Sequence, residues 1–128
     1  MDPVTEFNNN LDTQNKGICD FLRINLDKHL HGCISKLYHG APVWFLNDNP
    51  LVGYSLKKGK IALLFWSGQS FTQEGLVPMG KFKAAEISFS SLDEISLVKL
   101  QTWLNEAKSN IWDYKNIVKN GGKLTRLN

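Results

Sequence analysis

Two histidines and a cysteine near position 30 are the residues whose types could hold a transition metal. They form the sequence His29-x-His31-x-Cys33, and His39 lies a little further along. Imidazole and thiolate groups suit Zn²⁺ or Fe²⁺. At the end of a helix His29 and Cys33 would share a side while His31 points away, so the three converge only around an irregular backbone. The alternative is that these are surface histidines at a helix C-terminus, where positive charge is favourable.

Cysteine catalysis has less support. Cys19 falls within the apolar stripe of a predicted helix beside Asp20, whose charge would raise the pKa of the thiol. A buried structural thiol is the expected role for Cys19, and Cys33, near the histidines, is the better candidate nucleophile. The sequence has no Gly-x-Gly-x-x-Gly, Walker-type, Gly-x-Ser-x-Gly or His-Glu-x-x-His motif. These absences favour a protein that is not an enzyme.

Lysines and aromatic residues suggest a second kind of site. Residues 57–128 carry 11 basic and 6 acidic residues, a net charge of 11 − 6 = +5, whereas residues 1–56 carry 4 and 6, a net charge of −2. The basic turn 57–60, which contains Lys58, could combine with Lys81 and with exposed rings to bind an anion. The rings considered are those of Trp44, Tyr54 and Trp66. Lysine at a hairpin turn is also ordinary solvation, so we do not expect a nucleic-acid ligand.

The same rings allow a small apolar pocket between the predicted sheet and the loop 67–80. Its lining would be Trp44, Tyr54, Phe65 and Trp66, a composition typical of ligand sites. The alternative is that these rings fill the core beneath the loop. The sequence leaves both possibilities open.

The elements that must position these residues are strands in the middle of the chain and helices at both ends. Apolar runs separated by turn-forming residues predict strands at 43–46, 51–56 and 61–66, and alternation predicts a half-exposed strand at 82–89. Apolar residues at helical spacing from Ile18 to Leu30 predict a helix after Asp12, and Ile34 and Leu37 indicate one further helical turn. The sequence Ser91-Leu92-Asp93-Glu94 is typical of a capping box before a helix of about four turns. A last helix is expected from Ile111 to the glycines at 121 and 122.

The length and composition fit one soluble domain. The chain has 128 residues, of which 42% are hydrophobic and 21% charged, as in ordinary globular proteins. We expect a single domain over 1–128, with its core at about 4–119 and a flexible tail at 120–128. The sequence shows no membrane-spanning apolar run and no signal peptide, so we expect a cytoplasmic protein without a membrane partner.

An ordered set of short motifs resembles the YdhG-like family of small bacterial domains, some of which are described as frataxin-like iron chaperones. The motifs are Gly40-x-Pro42-Val43-Trp44, Gly53-Tyr54, Ile61-x-Leu63-x-Phe65, Gly75-Leu76 and Gly80-Lys81, followed by a capped helix, and they cover residues 4–108. The resemblance implies an α+β fold, with a mainly antiparallel sheet of four to five strands and N- and C-terminal helices on one face. It also implies delivery of Fe(II) to iron-sulfur or haem assembly proteins. The chain departs from this pattern, because its main N-terminal helix carries only Asp20 and Asp27, which are too few for a carboxylate ridge.

The sequence therefore favours a small binding or carrier protein, with iron delivery as the form that the resemblance implies. The alternative is an interaction module that binds an anionic partner or small ligand through its basic hairpin turn and an aromatic sheet face. An apolar sheet face would equally serve a homodimer.

Overall fold

The computed structural model describes residues 2–128, in which three α-helices pack on one face of a single sheet. The helices are α1 (Pro3–Asn9), α2 (Thr13–His29) and α3 (Leu97–Ser109). The carboxylate of Asp2 accepts a hydrogen bond from the Thr5 N–H at the start of α1, and that of Asp12 accepts one from the Asn15 N–H at the start of α2. These carboxylates satisfy N–H groups that have no partner within the helix. The helix predicted after Asp12 is confirmed.

The sheet has six strands, all antiparallel to their neighbours. The strands are β1 (Ile34–Tyr38), β2 (Ala41–Leu46), β3 (Asn49–Lys57), β4 (Lys60–Phe65), β5 (Val77–Pro78) and β6 (Ala85–Phe89). Their order in the sheet is β1-β2-β3-β4-β6-β5. The α+β class with an antiparallel sheet is confirmed, with slightly more strands than the four to five expected.

The two faces of the sheet have different roles. Alternate side chains of β2, β3, β4 and β6 form an inner face that packs with apolar side chains of the helices in one core cluster. The inner-face residues are Trp44, Val52, Tyr54, Ile61, Leu63, Phe65 and Phe89, and the main helical ones are Ile18, Leu22, Leu26, Leu100, Trp103 and Leu104. The side chains on the opposite side of these strands form an outer face, which no helix covers.

Three two-residue turns connect the first four strands. Both central residues of each turn have positive φ: 52° and 82° at His39-Gly40, 50° and 66° at Asn47-Asp48, and 53° and 79° at Lys58-Gly59. These angles match the turn type whose twist suits antiparallel hairpins. The turns predicted between the apolar runs 43–46, 51–56 and 61–66 are thus confirmed, whereas the His39-Gly40 hairpin was not predicted. The three hairpins hold four consecutive strands side by side.

The helical turn predicted at Ile34 and Leu37 is wrong, because residues 34–38 form strand β1. Apolar residues three positions apart suit a helix, but the His39-Gly40 turn folds this segment onto β2 as a hairpin partner. Tyr38 therefore lies opposite Ala41. The segment contributes the edge strand of the sheet.

The third helix begins later than the capping box predicts. Residues Leu92–Glu94 form a short 3₁₀ turn, and α3 begins at Leu97 with Ser96 as its N-cap. The Ser96 hydroxyl accepts a hydrogen bond from the Lys99 N–H at 3.2 Å. Glu94 still caps the earlier turn, since its carboxylate accepts from the Ser90 N–H at 2.6 Å.

The prediction of a last helix from Ile111 to the glycines at 121 and 122 is also wrong. Trp112 pairs with Arg126 in an isolated antiparallel bridge, and residues 115–122 form turns. The two glycines, at φ 67° and 81°, reverse the chain rather than end a helix. The Asp113 N–H donates to the Thr125 carbonyl at 2.8 Å. This pairing ties the segment predicted as a flexible tail to residues 111–113.

No helix within residues 2–128 has the length and apolar character needed to cross a membrane.

Candidate ligand-binding groove

The structure does not assemble the predicted metal ligands. His29 ends α2, and His31 and Cys33 follow it in the connection to β1. Among residues 2–128 there is no group of three or more His, Cys, Asp or Glu side chains arranged to hold a metal ion. The described residues therefore do not fit the Fe(II) site that the resemblance implies.

The acids of α2 are already engaged within the fold. Asp20 pairs with the Lys16 ammonium at 2.5 Å and accepts from the Asn8 amide at 3.0 Å. Asp27 accepts from the indole N–H of Trp44 at 2.8 Å. Both carboxylates thus have structural partners that link the helices and the sheet. Their presence on α2 does not require a bound cation.

His29 is instead a partly buried histidine at the junction of α2 and α3. Its Nε2 atom is buried and has no hydrogen-bond partner among the described residues. Burial lowers its pKa, and the charges of Lys28, Lys108 and His31 lower it further. The surroundings therefore favour the neutral form of the imidazole.

The two cysteines are free thiols with raised pKa values. Burial, with a contribution from Asp20, raises the pKa of Cys19 to about 12. Burial also raises the pKa of Cys33, and the charge of Lys108 offsets this in part. A nucleophilic cysteine needs the opposite shift, so the expectation of a structural thiol at Cys19 fits the structure.

The basic residues do not form one anion site. Lys58 lies in the turn between β3 and β4, at the start of β4. Lys81 comes just before β6, whose first residue pairs with Phe65 at the other end of β4. Lys57 is paired with the Glu86 carboxylate, and Lys81 lies against the ring of Phe82, 5.2 Å from its centroid. The predicted combination of Lys58 with Lys81 is thus separated by the length of the strand.

The predicted aromatic surface divides between the two faces of the sheet. Trp44 and Tyr54 are 1% and 2% exposed and lie in the core, with Phe65 beside them. The ring of Phe71, from the loop, packs on Phe65 at a centroid distance of 5.5 Å. Phe65 therefore packs beneath the loop, whereas Trp44 and Tyr54 lie in the core against the helices: the Trp44 indole N–H donates to Asp27 of α2 and the Tyr54 hydroxyl to Asn8 of α1. Of the four rings proposed to line a pocket, Trp66 is the one that faces outward.

Trp66 lines an apolar cleft on the outer face. The cleft has a volume of about 200 Å³. It is lined by Tyr38, His39, Ala41, Pro42, Val43, Gly53, Tyr54, Ser55, Leu64 and Trp66. Because the ring of Tyr54 lies in the core, this residue reaches the cleft only through its backbone. Neither a lysine nor a carboxylate lines it.

Gly53 explains how the strands come close enough to form this cleft. A Cβ atom at this position would lie 2.5 Å from the Pro42 carbonyl oxygen and 2.8 Å from a methyl group of Val43. Only glycine allows β2 and β3 to approach in this way. With Ala41 and Ser55, it gives the cleft a floor of small residues.

A second, charged cleft adjoins the first. It has a volume of about 400 Å³ and shares Tyr38 and Trp66 with the apolar cleft. Its remaining lining consists of Lys36, Phe45, Asp48, Pro50, Tyr114, Lys115 and Ile117. We refer to the two clefts together as the outer groove.

The C-terminal segment builds one wall of the charged cleft. The Tyr114 hydroxyl donates to the Trp66 carbonyl at 2.6 Å and accepts from the Lys83 N–H at 3.1 Å. The Lys115 N–H donates to the Asn49 side-chain oxygen at 2.7 Å. These bonds fix the wall against the ends of β3 and β4. Trp66 takes part through its backbone, so its ring is free to contact a ligand.

Sequence reasoning identified Trp66 but missed Tyr38, Lys36 and His39 as parts of this groove. The cause is the helical assignment of residues 34–38, which hid the alternation of Ile34, Lys36 and Tyr38 on one face of a strand. The His39-Gly40 sequence before an apolar run is the hairpin signal that would have revealed it.

No family model matches the chain, and no curated protein or solved structure matches it significantly. The YdhG-like resemblance therefore stays a prediction from short motifs, and the groove is interpreted from its own residues.

Proposed function

We propose that this protein is a non-catalytic binding module that holds a small, largely apolar ligand in the outer groove. The observation that supports this most is the aromatic wall of Tyr38 and Trp66, shared by two adjoining clefts on a sheet face that no helix covers. Ligand sites are typically concave and apolar, with few polar groups. The combined size of the clefts falls within their usual range.

The apolar cleft contains few polar groups. A binding site for the apolar part of a ligand requires such a lining. The His39 ring lies against Tyr38, with 4.2 Å between ring centroids, and Ser55 contributes a hydroxyl to the floor. Such groups orient a ligand, whereas the rings and the aliphatic side chains supply the contact area.

Iron delivery has less support from the geometry, since the candidate donors are dispersed and the carboxylates of α2 are engaged. A cytoplasmic location remains part of the proposal and rests on the sequence. The alternative that the test must exclude is a homodimer in which a second copy covers the outer face.

The proposal is tested by titrating isotope-labelled protein with 2-naphthylmethanol, a neutral aromatic probe, and recording amide NMR spectra. We expect saturable shifts confined to residues around the groove, such as Tyr38, Ser55 and Leu64. Trp66→Ala should weaken binding at least fivefold. The matched control Trp112→Phe, outside the groove, should leave binding unchanged.

Two results would overturn the proposal. One is an absence of saturable shifts at the groove in the millimolar range. The other is a dimer in sedimentation experiments whose dissociation, rather than probe binding, changes the same amides.

A further inference from the structure

We infer that the ligand of the outer groove is an amphiphilic monocarboxylate, with its apolar body in the apolar cleft and its carboxylate in the charged cleft. This inference rests on the proposed function and adds the chemical class of the ligand.

The two clefts of the groove differ in charge. Charged side chains line only one of the two clefts, where Lys36, Asp48 and Lys115 are found. A ligand lying along the shared wall of Tyr38 and Trp66 therefore meets an uncharged surface at one end and charges at the other. This arrangement suits an apolar molecule with one charged end.

The charged cleft carries a net positive charge. The Lys36 ammonium lies 4.7 Å from the centroid of the Phe45 ring. In residues 2–128 no carboxylate lies within salt-bridge distance of it. Lys115 contacts Asp48 at 3.6 Å, with both side chains at least half exposed, and such a pair contributes little. Two lysines against one aspartate leave the cleft with a positive charge, so its ligand group is an anion.

The lining of the groove favours a carboxylate over a phosphate. No arginine lines either cleft, so the bidentate fork that often recognises phosphate is missing. The one ammonium without a carboxylate partner matches one negative charge. A carboxylate meets this condition, whereas a phosphate ester with nearly two charges would leave one of them without a partner.

The test compares 2-naphthylacetate with 2-naphthylacetamide, which share the ring system and differ in charge. Each is titrated by NMR into the wild-type protein, Lys36→Gln and Lys58→Asn. The Lys58 variant loses the same charge outside the groove and keeps an Asn-Gly turn, which suits this hairpin. Trp66→Ala is titrated as a fourth protein.

We expect the carboxylate to bind about two- to fivefold more tightly than the amide, the range for one exposed ion pair such as Lys36 would form. Lys36→Gln should abolish this preference and Lys58→Asn should retain it. Equal binding of the two probes, with both weakened by Trp66→Ala, would overturn the carboxylate inference and leave the proposed function standing. A preference lost equally in both lysine variants would also overturn it. Failure of both probes to bind would overturn the proposed function itself.

Discussion

The ring centroid of Tyr38 lies 6.5 Å from that of Trp66, although Tyr38 belongs to β1 and Trp66 follows β4. Two strands lie between them in the sheet, so their backbones would be about 14 Å apart in a flat sheet. The two rings lean toward each other over β2 and β3. Val43, beneath them on the outer face, is only 3% exposed. The groove is thus formed by rings that reach across the sheet from both sides.

This contact should appear as a coupling in stability. Replacing Tyr38 and Trp66 by alanine singly and together should give an interaction energy of about 0.5–1 kcal/mol, as for other aromatic pairs. Urea unfolding of the four proteins measures it. The same cycle with Tyr38 and Trp112 should give no coupling, and a zero value for the first pair would show that the rings act independently.

His39 has positive φ in a turn that asparagine would favour more strongly. We expect His39→Asn to stabilise the fold by up to about 1 kcal/mol, because asparagine adopts this conformation more readily. The same change should weaken binding of the naphthyl probes, since the ring that packs against Tyr38 is removed. Thermal unfolding and NMR titration check the two effects, and an unchanged affinity would remove His39 from the site.

Tyr54 links the sheet to α1 through a buried hydrogen bond. Its hydroxyl donates to the side-chain oxygen of Asn8 at 2.8 Å. Tyr54→Phe should lower the free energy of unfolding by about 1–3 kcal/mol, because the Asn8 oxygen is left without a partner. Tyr38→Phe is the matched control and should cost little, since Tyr38 is 41% exposed. Equal losses in the two variants would contradict this account.

Glu106 fastens the loop after β4 onto α3. Its carboxylate accepts from the Thr72 N–H at 2.7 Å and from the Gln73 N–H at 2.9 Å. Partial burial acts to raise its pKa, but these bonds outweigh burial and the pKa lies below its ordinary value. The stabilisation is therefore present at neutral pH and lost as the pH falls through the lowered pKa.

Glu106→Gln should accordingly cost about 1 kcal/mol at pH 7 and less at an acidic pH below the lowered pKa. Urea unfolding at the two pH values measures the difference. Glu74→Gln, in the same loop, is the control and should cost little at pH 7. A loss that is the same at both pH values would indicate a packing effect instead.

His29 should make the fold sensitive to mild acid. Because its pKa is lowered in the folded protein, the unfolded chain binds the proton more strongly, and stability falls as the pH drops below about 6.5, its ordinary value. His29→Gln should flatten the stability profile between pH 7 and 5. An unchanged profile in this variant would contradict the assignment.

The sequence predicted the parts of the fold that depend on local patterns. The β2, β3 and β4 strands follow from apolar runs, and the capped helix α2 follows from its apolar spacing and Asp12. The sequence did not predict the segments whose conformation depends on pairing with residues distant in the chain. Residues 34–38 become a strand only because β2 lies beside them, and Trp112 is extended only because Arg126 returns to pair with it.

The site was harder to predict for the same reason. Each of Trp44, Tyr54 and Trp66 lies in an apolar run, and nothing local tells which ring faces the helices and which faces outward. Strand pairing sets that direction through alternation. The bulge between Trp44 and Phe45 further obscures it, since both neighbours are buried.

One layer of backbone separates the groove from the core, because successive side chains of β2, β3 and β4 point to opposite faces. Substitutions on the outer face therefore change few core contacts, and their effects on stability should add to those of core substitutions. Positions such as 41, 55 and 64 can vary in sequence while the helices keep the same support. Closely related chains with this fold can thus acquire different ligand preferences without first having to gain stability.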